Sequence, residues 1–112
     1  MVNQQVQMVG EDSAAGFLEG RGMRVLCRNW RCRFGELDLV ALDGTTLVFV
    51  EVKCRTRDYL YDPALAVDMR KQLRVRRLAE AYIAMERPNY QNCRFDVVSV
   101  VAANPVRLTH LA

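Results

Sequence analysis

The sequence predicts an α/β fold: a small sandwich in which helices flank a mixed sheet. Three observations carry this. The hydrophobic patterns run in the order helix, three strands, helix, strand, which calls for a layered α/β arrangement. The stretch from Thr46 to Cys54 holds the apolar run Leu47-Val48-Phe49-Val50 and then Val52, the mark of a strand covered on both faces. Between the second and third strands, Asp43-Gly44 is a hairpin signal. With 112 residues, the chain is a single domain, core about 10–102, large enough for one hydrophobic core and not for two.

Gly10 to Arg21 reads as the first helix, closed by Gly22 at the position after its last turn. Glu11, Ala14, Ala15 and Leu18 share one stripe, so an acid lies on the apolar face. A first-turn acid also complements the helix dipole by ~0.3–1 kcal/mol, which would account for Glu11 without chemistry. Met23 to Trp30 reads as a strand, followed by an Arg-rich loop through Phe34-Gly35; Glu36 to Leu42 and Thr46 to Cys54 are the next two. A segment rich in Asp, Tyr and Pro (Asp58 to Pro63) leads to a long helix that ends before Pro88, and Arg94 to Ala102 forms a last strand. In the long helix Leu78, Ala81, Tyr82 and Met85 make an apolar face, while Arg70, Lys71, Arg74 and Arg77 project from that side in the first half. Either the helix breaks near Leu73 or its first turns overhang the sheet; the reading favours the overhang.

Composition narrows the chemistry. Cys27, Cys32, Cys54 and Cys93 form no Cys-x-x-Cys pair and the one histidine is His110, which argues against a structural zinc site and against a histidine-activated nucleophile. No apolar run is long enough to span a membrane, and residues 1–9 lack the pattern of a signal peptide; a cytoplasmic protein with reduced thiols is expected. The net charge is +3, yet thirteen of the 16 Lys and Arg residues fall in three clusters. These are Arg21, Arg24, Arg28, Arg31 and Arg33; Lys53, Arg55 and Arg57; and Arg70, Lys71, Arg74, Arg76 and Arg77. Such grouping suits a polyanion, nucleic acid above all, although a solvated basic face would look the same. Phe34, Trp30 and Tyr61 are candidates for stacking on bases, with core packing the favoured role of Trp30.

The residues that carry chemistry lie on the central hairpin. Glu51 and Lys53 alternate onto one face of their strand. Charges in edge strands often only block edge pairing, but here the apolar flanks argue for burial, and an uncompensated buried charge costs several kcal/mol. With Asp43-Gly44 as a two-residue loop, Asp38 faces Phe49 and Glu36 faces Glu51; with a four-residue loop, Asp38 faces Glu51 directly. Both registers set Asp38, Glu51 and Lys53 on one face. Two carboxylates so close need a shared cation or a raised pKa. A hard divalent ion, Mg²⁺ or Mn²⁺, held by Asp38, Glu51 and the Val52 carbonyl answers that need. Lys53 could then orient or deprotonate an attacking water, or offset charge on a phosphorane-like transition state.

Asp38 followed by Glu51-Val52-Lys53 resembles the P-D-(D/E)-x-K nuclease signature. Gly10-Glu11, Asn29-Trp30-Arg31, Gly35-Glu36-Leu37-Asp38-Leu39-Val40, Phe49-Val50-Glu51-Val52-Lys53 and Ala66-Val67-Asp68-Met69-Arg70-Lys71 are similar to the YraN family of uncharacterised bacterial proteins. That family is similar in fold to archaeal Holliday-junction resolvases. The resemblance implies a restriction-endonuclease-like αβββαβ core and a metal-dependent endonuclease acting on DNA, branched or structured DNA included. It further implies Glu11 as a third acid near the metal, Asp38 and Glu51 as ligands, Lys53 as the catalytic lysine, and Lys71 or Gln72 as an auxiliary polar position. Arg31, Arg33, Arg55, Arg57, Arg70, Lys71 and Arg74 are the expected nucleic-acid contacts. By analogy with the resolvases a homodimer is compatible with it. Leu37 stands where the signature has proline. Two other readings compete: a nucleic-acid-binding module that kept the fold without catalysis, and a surface that binds an acidic protein.

Overall fold

The computed structural model describes residues 4–55, 69–101 and 107–111, with side chains for 10–54, 72–100, 108 and 110. The elements are α1 (Gln4–Gly20), β1 (Arg24–Cys32), β2 (Gly35–Asp43), β3 (Thr46–Arg55), α2 (Met69–Glu86), β4 (Asn92–Val101) and β5 (Arg107–Leu111). They form one sheet in the order β1-β2-β3-β4-β5. Strands β3 and β4 are parallel and the other neighbours antiparallel. Parallel neighbours need a crossover, and α2 lies within it. The αβββαβ order is therefore as expected, and β5 is added at the β4 edge. Nothing local announces that strand: it is five residues long, and its partners Val97 to Val101 identify it only in three dimensions.

Helix α1 begins at Gln4, earlier than the expected Gly10, and it ends as the glycine signal implies. Gly22 adopts φ +90°, Met23 N–H donates to Leu18 O at 3.1 Å and Gly22 N–H to Glu19 O at 3.0 Å, the paired bonds of a Schellman cap. The Asp43-Gly44 turn is shifted by one residue. Asp43 pairs with Thr46, so Gly44 and Thr45 make the turn, with Gly44 at φ +62°. Asp43 is drawn into the strand because its carboxylate meets Arg94 at 2.9 Å.

The single sheet divides the core of the domain into two layers, one on each side, where the chain length suggests one undivided core. Ala14, Ala15 and Leu18 of α1 pack with Leu39, Ala41, Val48, Val50, Val52, Val98 and Val100. Leu78 and Tyr82 of α2 pack with Trp30, Leu37, Val40, Leu47 and Phe49. Strand β3 supplies both cores by alternation, which is why its sequence reads as a continuous apolar run. Trp30 is a core residue: its ring meets Tyr82 edge-on at 5.3 Å, and its Nε1–H donates to Glu86 Oε1 at 3.3 Å. Helix α2 runs unbroken through Leu73. Its buried stripe ends at Tyr82, whose ring takes the edge contacts with Trp30 and Phe49, so Met85, expected on the apolar face, is exposed instead.

Close approach of α1 to β3 depends on Gly10. A Cβ built there would lie 1.9 Å from Cys54 Sγ and 3.4 Å from Cys54 Cβ, and Cys54 is buried. Gly10→Ala is expected to destabilise the fold by about 1–3 kcal/mol, the usual cost of overpacking. Gly10→Ala combined with Cys54→Ala should recover most of that loss in urea titrations; equal instability of the double variant would show that the sulfur is not the obstacle.

At the hairpin end of the sheet lies a charged network. Arg94 Nε donates to both oxygens of Asp96, at 3.0 and 3.2 Å, and its Nη1 reaches Asp43. Asp96 is fully buried, and its Oδ2 also lies 2.7 Å from His110 Nε2 of β5. Arg21, after α1, approaches His110 Nδ1 at 3.3 Å. The network centred on this buried carboxylate thus ties together three strands, β2, β4 and β5, and the end of α1.

Candidate functional site

The β2–β3 ladder stops at Leu39–Val50. One step further, in the same register, Asp38 would sit opposite Glu51, and the Val52 N–H would meet a β2 carbonyl soon after. Instead Asp38 Oδ2 accepts that N–H at 2.8 Å, so the carboxylate lies in the plane of the sheet where two strands part. Face alternation breaks at the same place. Leu37 and Leu39, two residues apart, belong to opposite cores. On β1, Arg28 pairs with Asp12 of α1 whereas Trp30 packs against Tyr82 of α2. Between them Asn29 has φ +53°, a left-handed conformation that asparagine tolerates better than most residues. The β1–β2 ribbon is kinked at Asn29 and Asp38, which opens a notch in the sheet.

Acids from both sides converge on this notch. Glu11 of α1 is buried, and one oxygen each of Glu11, Glu36 and Asp38 lie within 4.8 Å of one another. Asn29 stitches the group. With its amide turned as the surrounding acceptors require, its nitrogen donates to Glu11 Oε1 at 2.9 Å and Glu36 Oε1 at 2.8 Å. Burial raises the Asp38 carboxyl above its ordinary value; the Val52 N–H opposes the shift, Glu51 and Glu36 add to it, and Lys53 lowers it again. Cys54, on the α1 side, is pushed up to about 11 by burial and then by Glu11 and Asp38, so its thiol stays protonated at neutral pH. Asp38 thus feels groups on both faces, as an in-plane group should.

On the α2 side, Lys53 Nζ pairs with Glu51 at 2.7 Å. The lysine side chain keeps 30% exposure, so the pair is reachable from solvent. A small recess of about 70 Å³ there is lined by Glu36, Asp38, Glu51, Arg74 and Leu78 among others. Asp38 and Glu51 line this recess and Lys53 stands beside it through its bond to Glu51, but the tight trio of oxygens is Glu11, Glu36 and Asp38. Glu51 lies beside that trio, bonded to Lys53. Val52 contributes through its N–H. Glu36 and Asn29 are the functional candidates that the sequence reading passed over. Alternation placed Glu36 on the strand face of Asp38, while only the kink brings Asn29 in.

The basic residues divide. Arg74 lines the acidic recess; Arg31 pairs with Glu36 at 3.4 Å; Arg33 stacks near Phe34 at the β1–β2 turn. Arg57, Tyr61 and the Asp58–Pro63 segment lie outside the described residues, as do the side chains of Arg55, Arg70 and Lys71.

The donor set suits a hard divalent cation: three carboxylates with no sulfur or imidazole among them, brought close at a partly buried place. The Asp38 carboxyl is raised first by burial and then by Glu51 and Glu36, and a nearby cation would offset both. A proton is held more tightly by Asp38 in the folded chain than in the unfolded one. Its contribution to stability is therefore most favourable in acid and is lost as pH rises from the ordinary carboxylate range, about 3.9, through the raised folded value. Asp38→Asn should stabilise the protein at neutral pH and change little in acid, because the amide oxygen can still accept the Val52 N–H. Urea midpoints at the two pH values test this; a loss of stability at neutral pH would refute it.

Fold and site together define a small α/β protein with an acidic notch cut into its sheet beside a lysine. The chain belongs to the uncharacterised protein family UPF0102, whose model matches residues 10–100, the group that the motifs pointed to under the name YraN. Every residue that builds the notch, from Glu11 to Lys53, falls inside this match. A UPF0102 protein from Mycolicibacterium vanbaalenii is 47% identical over 96 residues, covering 86% of this chain and 79% of the relative. One from Syntrophus aciditrophicus is 47% identical over 98 residues, 88% and 77% of the two chains. One from Dictyoglomus thermophilum is 40% identical over 101 residues, 90% and 86%. Among the described residues, no helix is long and apolar enough to cross a membrane.

Proposed function

We propose that this chain is a metal-dependent endonuclease that hydrolyses phosphodiester bonds of nucleic acid, with branched or structured DNA as the first substrate to try. The observation that carries the reading is the meeting, at one notch, of the Glu11–Glu36–Asp38 trio with the Glu51–Lys53 pair. A structural ion pair would account for Glu51 and Lys53, but not for three further carboxylates gathered beside them.

Glu11, Glu36 and Asp38 would hold Mg²⁺ or Mn²⁺, with Glu51 adjacent. When bound, the ion supplies Lewis-acid charge to the phosphate. The remaining work falls to the chain. Asn29 keeps Glu11 and Glu36 in place, and the Val52 N–H anchors Asp38. Lys53, held by Glu51, presents an ammonium to the phosphate oxygens on which negative charge accumulates in the transition state. Arg74, lining the same recess, can neutralise the neighbouring phosphate. In the reaction water adds to phosphorus, the bond to one sugar oxygen breaks, and the leaving oxygen takes up a proton.

The test is strand scission of branched, single-stranded and duplex DNA with Mg²⁺ or Mn²⁺, alongside Asp38→Asn and Glu51→Gln. Cleavage by the wild type and none by the variants is expected. Salt-sensitive binding without scission by any protein would favour the non-catalytic module instead. Cleavage retained in both variants would reject the assignment.

A further inference from the structure

We infer that Phe34 and the arginines around it form a seat for an unpaired base of a nucleic-acid strand, beside the acidic notch. The inference rests on the reading that the notch acts on nucleic acid, and it adds that the favoured strand has a base free of the duplex.

Phe34 occupies the β1–β2 turn and remains 37% exposed, although an aromatic ring gains from burial. The turn is held rather than loose. Phe34 N–H donates to Cys32 Sγ at 3.4 Å, and Gly35 takes φ +136°, a conformation open to glycine. Two guanidinium groups lie by the ring, Arg33 at 4.8 Å and Arg77 of α2 at 5.3 Å from its centroid. A recess of about 410 Å³ is lined by Arg33, Phe34, Leu73, Arg74 and Arg77. Leu73 is 59% exposed. No carboxylate lines this recess, and among the described residues none pairs with these three arginines.

Two exposed apolar side chains framed by three cations match a ligand that is flat and conjugated on one side and anionic on the other. A nucleotide has that form: its ring stacks on aromatic or guanidinium planes, and its phosphate takes the remaining arginines. Arg77 and Arg33 are long enough to swing from ring to phosphate as the base enters. An acidic peptide would satisfy the charges and leave Phe34 and Leu73 wet. A duplex keeps its bases stacked and would use only the arginines. Position supports the same ligand. Arg74 lines both this recess and the acidic one, so a strand whose base sits on Phe34 passes its phosphate directly to the notch.

The experiment uses the whole chain in EDTA, so that binding is read without scission. The probes are a single-stranded oligonucleotide carrying 2-aminopurine and a blunt duplex of equal length. Binding of the single strand should quench 2-aminopurine fluorescence. Phe34→Ala should weaken single-strand binding roughly ten- to hundredfold, leave duplex binding nearly unchanged and leave the salt slope of binding unaltered. Phe34→Trp should keep affinity and quenching, while Arg77→Ala should weaken both ligands and reduce the salt slope. Equal affinity of Phe34→Ala and wild type for the single strand would overturn this inference and leave the nuclease reading standing. Failure of the wild type to bind either probe would overturn both.

Discussion

Replacing Lys53 by methionine is expected to lower phosphodiester hydrolysis by roughly 10²- to 10⁴-fold, the range associated with removing one positioned acid–base or charge-stabilising group. Binding of nucleic acid should change little. The ammonium sits on Glu51 at 2.7 Å; in the proposed reaction it would act on charge that develops in the transition state, whereas uniform binding would come from exposed arginines such as Arg74. The loss should therefore fall on kcat with KM nearly unchanged. Methionine matches the length and apolar stem of lysine, so the fold should tolerate it. Lys53→Arg keeps the charge but replaces a compact ammonium with a planar fork, and it should recover part of the rate. Single-turnover cleavage of an end-labelled junction, with binding followed separately, measures both effects. A variant that cleaves at the wild-type rate would confine Lys53 to the ion pair and remove it from the chemistry.

The second large effect is structural. Arg94→Leu should destabilise the fold by about 3–5 kcal/mol, the cost of leaving a buried charge without its partner. Asp96 is fully buried and receives two bonds from Arg94 Nε, so the protein would keep a buried carboxylate with His110 as its other side-chain partner among the described residues. The neighbouring Asp43 would lose its bond as well. Because a typical domain has only ~5–15 kcal/mol in hand, the variant should show a large fall in its urea midpoint. Arg94→Leu with Asp96→Leu removes both charges and should recover much of the stability, since apolar replacement of a buried pair is often neutral or better. If Arg94→Leu alone is near wild type, solvent rather than the guanidinium is compensating Asp96. The cleavage proposed for the acidic notch offers a separate control, because the network stands at the hairpin end of the sheet and the notch lies where β2 and β3 part.

What was legible in the chain follows from local periodicity. The apolar run of β3 reports burial on both faces whatever the partners are, and the stripe of Ala14, Ala15 and Leu18 reports the α1 core directly. Alternation likewise placed Asp38, Glu51 and Lys53 near one another, since both hairpin registers preserve parity, and Glu11 betrayed itself as an acid on an apolar stripe. Helix α2 could be followed through its basic first half because Leu78 and Tyr82 keep the spacing of a buried face.

Periodicity cannot say where a ladder ends or a ribbon kinks. Which acids form the tight trio was decided by the left-handed backbone at Asn29 and by the Asp38 carboxylate taking the Val52 N–H, a bond between residues 14 positions apart on two strands. The choice of Glu36 over Glu51 follows from that kink, as does the role of Asn29. Strand β5 and the Arg94–Asp96–His110 network are likewise tertiary facts. A short strand becomes one only when an edge offers backbone partners, and a charge can be buried only where its counter-charge has already been brought by folding.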